Sequence, residues 1–442
     1  HDHKWFGDEV RLPWSPVLER EFARRYGGPL ADSLFDIAYG TGDAFRARWC
    51  FYSALAHLFA ENYTKTLAEW CGRHNLVFTG HFLLEESPRA ATQTIGDPMR
   101  HYEYQQAPGI DHLGRNIDLT EFWTSARILV KQAASVAHQL GKERVLCETF
   151  AGGGWDFGPL EQKWMGDWQY ALGVNLLCQH AFHYSLRGFR KRDYPPSLSF
   201  QQPWWELSAP LGAHFARLGY ALTRGTRVVN VLVLHPIESF FATHATDAYP
   251  WPGDHVNDAL KRLVEELLAN QIDFDFGNEE LLRKHGRIDG RALCVGAGRY
   301  EVVIVPHALT WRAGTLRLVR RFVRAGGALF FVEPRADRVD ARPSDRPDVL
   351  PARGMSLGQW DDAAFPSRIA ALVGPAARSA VRLNDPAGAS REVVMMHRRA
   401  DDEDIFFLAS AAKASFEVEA TFRAAGVPCL YDTATGATVA MP

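Results

Sequence analysis

The sequence predicts an α/β fold that contains the second half of a (β/α)₈ TIM barrel, strands four to eight, and two observations support this. Strand-like and helix-like segments alternate from Trp5 to about Gly225, which is the pattern of βα units and a parallel sheet. Each strand-like segment in this stretch ends in polar residues. Catalytic groups of such barrels lie at the carboxyl ends of the strands, so the polar ends favour this fold over other parallel sheets.

The predicted strands of this region are short apolar runs that end in acidic residues or histidine. Their ends are Asp8-Glu9, His81, Asp111-His112, Glu148 and His180. Since five strands do not close a barrel, we expect the strands that end at Glu9 and His180 to leave unpaired edges. We also expect the first three strands and the true N-terminus to lie upstream, which leaves localisation open between a bacterial cytoplasm and a periplasm.

Helix signals separate these strands. Ser15-Pro16 supplies an N-cap followed by proline at the first helical position, and this helix is expected to end near Gly27-Gly28. Apolar residues at three- and four-residue spacings predict a long helix from about Asp43 to His74. A further helix from Thr124 to Leu140 is closed by Gly141.

The rest of the chain predicts three more parts after a barrel part at residues 1–226. Residues 227–335 show a second αβ pattern, typical of a flavodoxin-like or amidotransferase-like domain. Residues 336–390 read as a linker or excursion, and residues 391–442 as the start of a small β-rich domain. No glycine-rich phosphate-binding motif is present, so no nucleotide and no other cofactor is expected.

Composition and charge exclude several classes of protein. The 442 residues carry 49 Lys+Arg against 52 Asp+Glu, a net charge of −3, which argues against a nucleic-acid partner. No apolar run approaches the ~20 residues needed to cross a bilayer. The six cysteines form no CxxC pair, so neither a disulfide framework nor a structural zinc site is expected. The sequence does not set the oligomeric state.

Two carboxylates are the first candidates for catalysis. Glu148 ends predicted strand seven and Glu9 ends predicted strand four, and these strands lie on opposite sides of a barrel mouth. Glycoside hydrolysis needs two carboxyl groups that flank one bond, one as proton donor and one as nucleophile or base. Asp8, Glu85 and Glu86 are alternatives for the proton donor.

A second set of polar and aromatic residues at the same ends is expected to contact substrate. A hydrogen-bonded residue at the barrel rim, or core packing for the tryptophans, is the alternative for each. An aromatic content of 12%, with 13 Trp, suits ligands with flat apolar faces. The candidates are His81, Glu86, Asp111, His112, Trp155, His180, His183, Tyr184 and Trp204.

Several segments resemble a known family of bacterial barrel glycosidases. They are Tyr52 to Cys71, Thr79-Gly80-His81, Cys147 to Phe150, Gly173-Val174-Asn175 and His180 to Ser185. The chain resembles the α-L-rhamnosidases of glycoside hydrolase family 106 and, more distantly, the clan A β-galactosidases of family 42. The resemblance implies a glycosidase with a carbohydrate substrate, in which Glu148 is the nucleophile or general base and Glu9 the general acid. Asp8 stands where clan A barrels usually have Asn before the acid.

Two other functions remain open from the residues alone. A metal-dependent hydrolase on the same barrel would use His81, His112, His180 and Asp111, and a chelator would then remove its activity. A non-catalytic carbohydrate-binding protein would bind sugar without turnover. The glycosidase is the leading hypothesis, and it requires no metal.

Overall fold

The structure is a computed structural model that describes residues 12–117, 125–192, 194, 198–244, 253–344, 354–377, 379–385 and 388–441. The α-helices of these residues are Pro16–Tyr26, Leu34–Tyr39, Ala44–Phe59, Lys65–Arg73, Pro88–Thr94, Pro98–Tyr102, Ala126–Gln139, Pro159–Leu172, Ala209–Ala221, Ile237–Thr243, Asp254–Ala269, Glu279–His285, Ala313–Arg324, Phe365–Arg368 and Gly374–Ala377. None of these helices is long and apolar enough to cross a membrane.

Three strands form the first parallel sheet, in the order in which they occur in the chain: β1 (Gly109–His112), β2 (Leu146–Thr149) and β3 (Leu176–Gln179). These are three of the predicted barrel strands, and their existence is confirmed. The strand that ends at Asp8-Glu9 falls outside the described residues. Leu176 and Cys178 on β3 are exposed, and β3 pairs only with β2 among the described strands, as expected of an edge.

The predicted strand from Leu76 to His81 was wrong as a strand, although the segment lies beside β1. It is extended but belongs to no sheet in the described part of the chain. The amide of Ala107 donates to Phe78 O at 3.3 Å, and Gln105 Nε2 donates to Gly80 O at 2.7 Å. The side-chain amide of Gln105 therefore supplies a hydrogen bond where backbone ladder bonds would join this segment to β1 if it were a strand.

The helix signals in the sequence act as predicted. Ser15 Oγ accepts from Leu18 N at 3.1 Å, and the helix that follows ends at Gly27, whose φ of 74° suits glycine. The long helix is present but in two pieces, because a π-helical turn at Ala60–Thr64 interrupts it. Ser125 caps the helix Ala126–Gln139, which covers one face of the first sheet.

The second sheet has five parallel strands and lies C-terminal to the first. Its strands are Val231–Leu234, Phe274–Gly277, Val302–Val305, Ala328–Glu333 and Met355–Gln359. Numbered along the chain, they lie in the spatial order 2-1-3-4-5, which is found in doubly wound folds of the flavodoxin type. Residues 355–359 were expected in a linker, but they pair with Ala328–Glu333 as the outer strand of this sheet.

The remaining strands form small sheets. They are Thr226–Arg227, Gly286–Asp289, Ala292–Val295, Gly298–Tyr300, Thr310–Trp311, Arg338–Val339, Arg342–Pro343, Val381–Asn384, Val393–Ala400, Glu403–Ser410, Glu419–Phe422, Cys429–Tyr431 and Thr438–Ala440. The β character predicted after residue 391 is confirmed by the last five. The hairpin of Val393–Ala400 and Glu403–Ser410 packs into the main core through Val394 and Met396.

One buried cluster of apolar side chains joins the two parallel sheets. It contains Ile110 and Cys147 from the first sheet and Val231 and Phe274 from the second. The helix Ala126–Gln139 lies between the sheets and carries ionic groups into the contact. Lys131, with no exposed surface, lies 2.5 Å from Asp273, so the helix that supports β1 is also fixed to the second sheet.

Candidate active site

The carboxyl ends of β1 and β2 bring two carboxylates side by side. Asp111 pairs in register with Glu148, and Glu148 pairs with Cys178 on β3. Residues that are in register on parallel strands point to the same face, so the two acidic side chains share one side of the sheet. Oxygen atoms of the two carboxylates lie within 4.8 Å of each other.

His81 contacts both carboxylates from the segment beside β1. Its Nε2 lies 2.6 Å from Glu148 Oε2, and its Nδ1 lies 3.8 Å from Asp111 Oδ2. His180, just after β3, approaches from the other side, with Nε2 3.9 Å from Glu148 Oε1. Glu148 is therefore held between two imidazoles while 26% of its side chain stays exposed, which leaves it accessible to a ligand.

Glu85 fixes the two backbone segments that carry His81 and Asp111. Its Oε2 accepts from Phe82 N at 3.1 Å and from Tyr102 Oη at 2.6 Å, while its Oε1 accepts from Asp111 N at 3.1 Å. The side chain is 1% exposed, and burial raises the pKa of Glu85 well above its usual range. A carboxyl group this enclosed and this fully bonded positions the site and is not free to contact substrate.

Asp111 is in a different electrostatic position. Burial raises the pKa of Asp111 to about 7, with Glu148 and Glu86 adding to the rise and His81 opposing it. Its Oδ1 is buried and has no hydrogen-bond partner among the described residues. A carboxyl group that is half protonated near neutral pH can serve as a proton donor, a property often found at functional sites.

Glu86 resembles Asp111 and lies next to the same group of residues. Burial raises its pKa, and the nearby His81 opposes the rise. Its Oε2 is also buried without a partner in the described part of the chain. Of the two adjacent glutamates, Glu86 is thus the one with an unused oxygen, and its contact with substrate stays a prediction.

The structure does not bring His112 to this group. His112 is fully buried beneath the sheet, where Gln169 Nε2 lies 2.8 Å from its Nδ1 and Asn116 O lies 3.1 Å from its Nε2. Burial lowers the pKa of His112 to about 4. His112 faces away from Asp111 because successive residues of a strand point to opposite faces. Both of its ring nitrogens have partners there, so its predicted role in substrate contact or metal ligation has no support here.

The other predicted contacts lie in the loops after β2 and β3. Trp155 is partly exposed and donates from Nε1 to Lys191 O at 3.0 Å. Tyr184 is fully exposed. His183 and Trp204 are half-buried, and His183 Nδ1 and Trp204 Nε1 are buried with no partner within the described ranges. Glu9 and its neighbour Asp8 lie outside the described residues.

Three of these side chains have the spacing of a cation site. One ligand atom from each of His81, Asp111 and Glu148 lies within 4.8 Å of the others. Imidazole with two carboxylates is a donor set that suits several divalent metals. His81 and Asp111 were predicted in such a site together with His112 and His180, whereas in the structure they lie beside Glu148.

Two roles were missed from the sequence. Glu85 was treated as a possible acid, whereas in the structure it accepts hydrogen bonds from Phe82 N and Asp111 N and positions the site. The raised pKa of Asp111 depends on burial by segments far away in the chain, which no local motif reveals. The Glu-Glu pair at 85–86 was the only local signal for the first of these roles.

Solved structures of glycosidases share the fold of this chain. In fold, the chain is similar to a rhamnosidase from Novosphingobium sp. PP1Y, with a TM-score of 0.69, 20% identity, and coverage of 97% of this chain and 41% of that one. It is also similar to a GH42 exo-carrageenase from Bacteroides ovatus, with a TM-score of 0.65, 10% identity, and coverage of 96% and 61%.

A curated relative and a family model extend the comparison. A protein of Formosa agariphila described as a putative beta-glucuronidase is 22% identical over 434 residues, which are 93% of this chain and 33% of that protein. The chain thus spans about a third of this relative and 41% of the rhamnosidase. The model of the Glyco_hydro_106 family, described as alpha-L-rhamnosidase, matches residues 12–441. The chain belongs to glycoside hydrolase family 106.

Proposed function

We propose that the protein is a glycosidase in which Glu148 attacks, or activates water to attack, the anomeric carbon of an α-L-rhamnoside. The observation that carries the proposal is the partly exposed Glu148 carboxylate at the end of β2, with Oε2 2.6 Å from His81 Nε2 and with Asp111 beside it in register. Family membership supports the reaction class, and the family's description supports rhamnose as the sugar.

The proposal includes the fold in which this site lies. β1, β2 and β3 are strands six, seven and eight of a (β/α)₈ barrel, and the segment that ends at His81 takes the place of strand five. Residues 1–226 then belong to the barrel, and the second parallel sheet, from residue 227, forms a flavodoxin-like domain. The β-rich part begins near residue 391. Parallel order in the first sheet and the similarity to barrel glycosidases support this division.

The reaction needs a proton on the leaving-group oxygen as the glycosidic bond breaks. Glu9 is the proposed general acid, as a partner of Glu148 across the mouth. One water is consumed: its hydroxyl goes to the anomeric carbon, and its proton replaces the one that Glu9 gave to the leaving group, directly in a retaining enzyme and by exchange with solvent in an inverting one. In a retaining enzyme Glu148 first forms a covalent glycosyl ester, and in an inverting enzyme it takes a proton from the attacking water.

The decisive experiment compares two glutamate variants on a panel of chromogenic glycosides. The panel holds 4-nitrophenyl α-L-rhamnoside, β-D-galactoside and β-D-glucuronide. Glu148→Gln should lower kcat at least 1,000-fold on the substrate that the wild type cleaves best. Glu143→Gln is the matched control, because Glu143 lies before the same strand with 70% of its side chain exposed; this variant should keep full activity.

A metal-dependent hydrolase is the second candidate, and the spacing of His81, Asp111 and Glu148 favours it. Dialysis against EDTA distinguishes the metal-dependent hydrolase from the glycosidase that uses carboxylates alone. A carboxylate-only glycosidase keeps its rate after dialysis, whereas a metal-dependent enzyme loses it and recovers it when one particular divalent cation is added back. His81→Gln should abolish that recovery, because it removes one of the three ligands.

A further inference from the structure

Three aromatic rings, two of them exposed and that of Trp205 half-buried, lie together after the carboxyl end of β3. Phe182 is 59% exposed and Phe200 is 57% exposed. The ring centroid of Phe182 lies 5.7 Å from that of Phe200 and 5.6 Å from that of Trp205. Large apolar side chains that share an exposed patch commonly mark a binding surface. We call these three residues the aromatic platform.

The platform begins close to the candidate active site along the chain. His180 contacts Glu148 at 3.9 Å, and Phe182 follows His180 by two residues. Two residues of extended chain span at most about 7 Å, so the platform begins within one sugar ring's length of the backbone that carries His180.

Hydrogen bonds hold the platform in place, and two residues next to it in the chain carry unused polar atoms. Gln201 Nε2 donates to His183 O at 3.0 Å, which ties the loop of Phe200 to the loop of Phe182. Ser199 in turn bonds to Gln201. Among the described residues, His183 Nδ1 and Trp204 Nε1 are buried and have no partner. Aromatic faces beside free nitrogen atoms suit a ligand with an apolar face and a polar edge.

We propose that the aromatic platform of Phe182, Phe200 and Trp205 binds the leaving group of the glycoside, and that it selects leaving groups that contain a ring, either a second sugar or an aromatic aglycone. This rests on the proposed function, since the cleaved sugar must occupy the space between Glu148, His81 and Asp111. The group on the other side of the cleaved bond then extends past His180 over the platform. A second copy of the chain is the competing occupant.

The test compares substrates that differ only in the leaving group. 4-Nitrophenyl α-L-rhamnoside has a ring there, whereas α-L-rhamnosyl fluoride has none. Phe182→Ala combined with Phe200→Ala should raise KM for the nitrophenyl substrate about tenfold, equivalent to ~1.4 kcal/mol, and leave kinetics on the fluoride within twofold of wild type. The matched control is Phe35→Ala. Phe35 is an exposed ring on the helix Leu34–Tyr39, with its centroid 4.8 Å from that of Tyr39, and its removal should change the kinetics on neither substrate.

Binding to a non-hydrolysing protein separates failure of this proposal from failure of the proposed function. Phenyl α-L-rhamnoside is titrated by calorimetry into Glu148→Gln, with and without the two platform substitutions. Weaker binding without the platform supports the proposal even if the wild type cleaves no rhamnoside, a result that would refute only the proposed function. Equal binding, equal losses on both substrates, or a dimer that dissociates in the double variant would overturn the platform.

Discussion

Replacing Asp111 by Asn should stabilise the protein at pH 8 and leave its stability unchanged near pH 4. Burial, opposed by His81, raises the pKa of Asp111 from 3.8 to about 7. The folded state therefore holds this proton more tightly than the unfolded state. Stability falls as pH rises from about 4 to about 7, and above that range the folded protein carries the full cost of an ionised, buried carboxylate. Asn has the same shape and no charge, so it avoids that cost.

The size of the effect follows from the difference between the two pKa values. About 3 pKa units at 1.36 kcal/mol each give a ceiling of ~4 kcal/mol. Asp111 is only 22% exposed, so water screens this cost weakly. Local relaxation reduces this ceiling. A gain of about 2 kcal/mol would raise Tm by roughly 4–8 °C in a domain of about 150–250 residues.

Thermal unfolding followed by circular dichroism at both pH values measures the effect. Asp32→Asn is the control, because Asp32 is exposed at the start of a short helical turn; its Tm difference from wild type should not depend on pH in this way. The reasoning about Asp111 is refuted if Asp111→Asn changes Tm equally at pH 4 and pH 8, or if it lowers Tm at pH 8.

Other outcomes follow from the same geometry. Glu85→Gln should lower Tm by several degrees, because the amide NH₂ of the new glutamine must face a backbone N–H that donates to a carboxylate oxygen in the wild type, at a cost of about 1–3 kcal/mol. The control Glu86→Gln replaces an oxygen without a partner among the described residues and should leave Tm unchanged. Equal losses of Tm in the two variants would contradict this role of Glu85. Labelling with Ellman's reagent should modify Cys178 and Cys429 before the buried Cys50, Cys147 and Cys294; a protected Cys178 would show by mass spectrometry that the edge of β3 is covered. The rate at Cys178 should rise in Glu148→Gln, since burial and the Glu148 charge both raise the pKa of that thiol.

The sequence was informative where local chemistry decides structure. Ser15-Pro16 marked a helix start, and the apolar runs ending at Asp111 and Glu148 marked two strands that prove to be neighbours in register. It failed at His81, where Gln105 supplies a hydrogen bond from its side chain and no strand pair forms. That contact joins residues 25 apart and leaves no trace in the hydrophobic pattern.

Site prediction had the same limits. A strand ending in Asp-His can present only one of the two side chains to the carboxyl-end site, and only the fold shows that it is Asp111 while His112 is buried against Gln169. The strand at residues 355–359 was missed because Pro, Asp and Arg dominate the segment before it. Pairing with a buried strand stabilises it despite that composition.

Chemical rescue of Glu148 tests the central claim most directly. Removing the side chain in Glu148→Gly should lower kcat on 4-nitrophenyl α-L-rhamnoside at least 1,000-fold, and azide, which enters the vacated space as an external nucleophile, should restore part of the rate with formation of a rhamnosyl azide. A variant that keeps more than a tenth of the wild-type rate without azide has lost less than about 1.4 kcal/mol of transition-state stabilisation, and Glu148 would then not be the catalytic carboxylate.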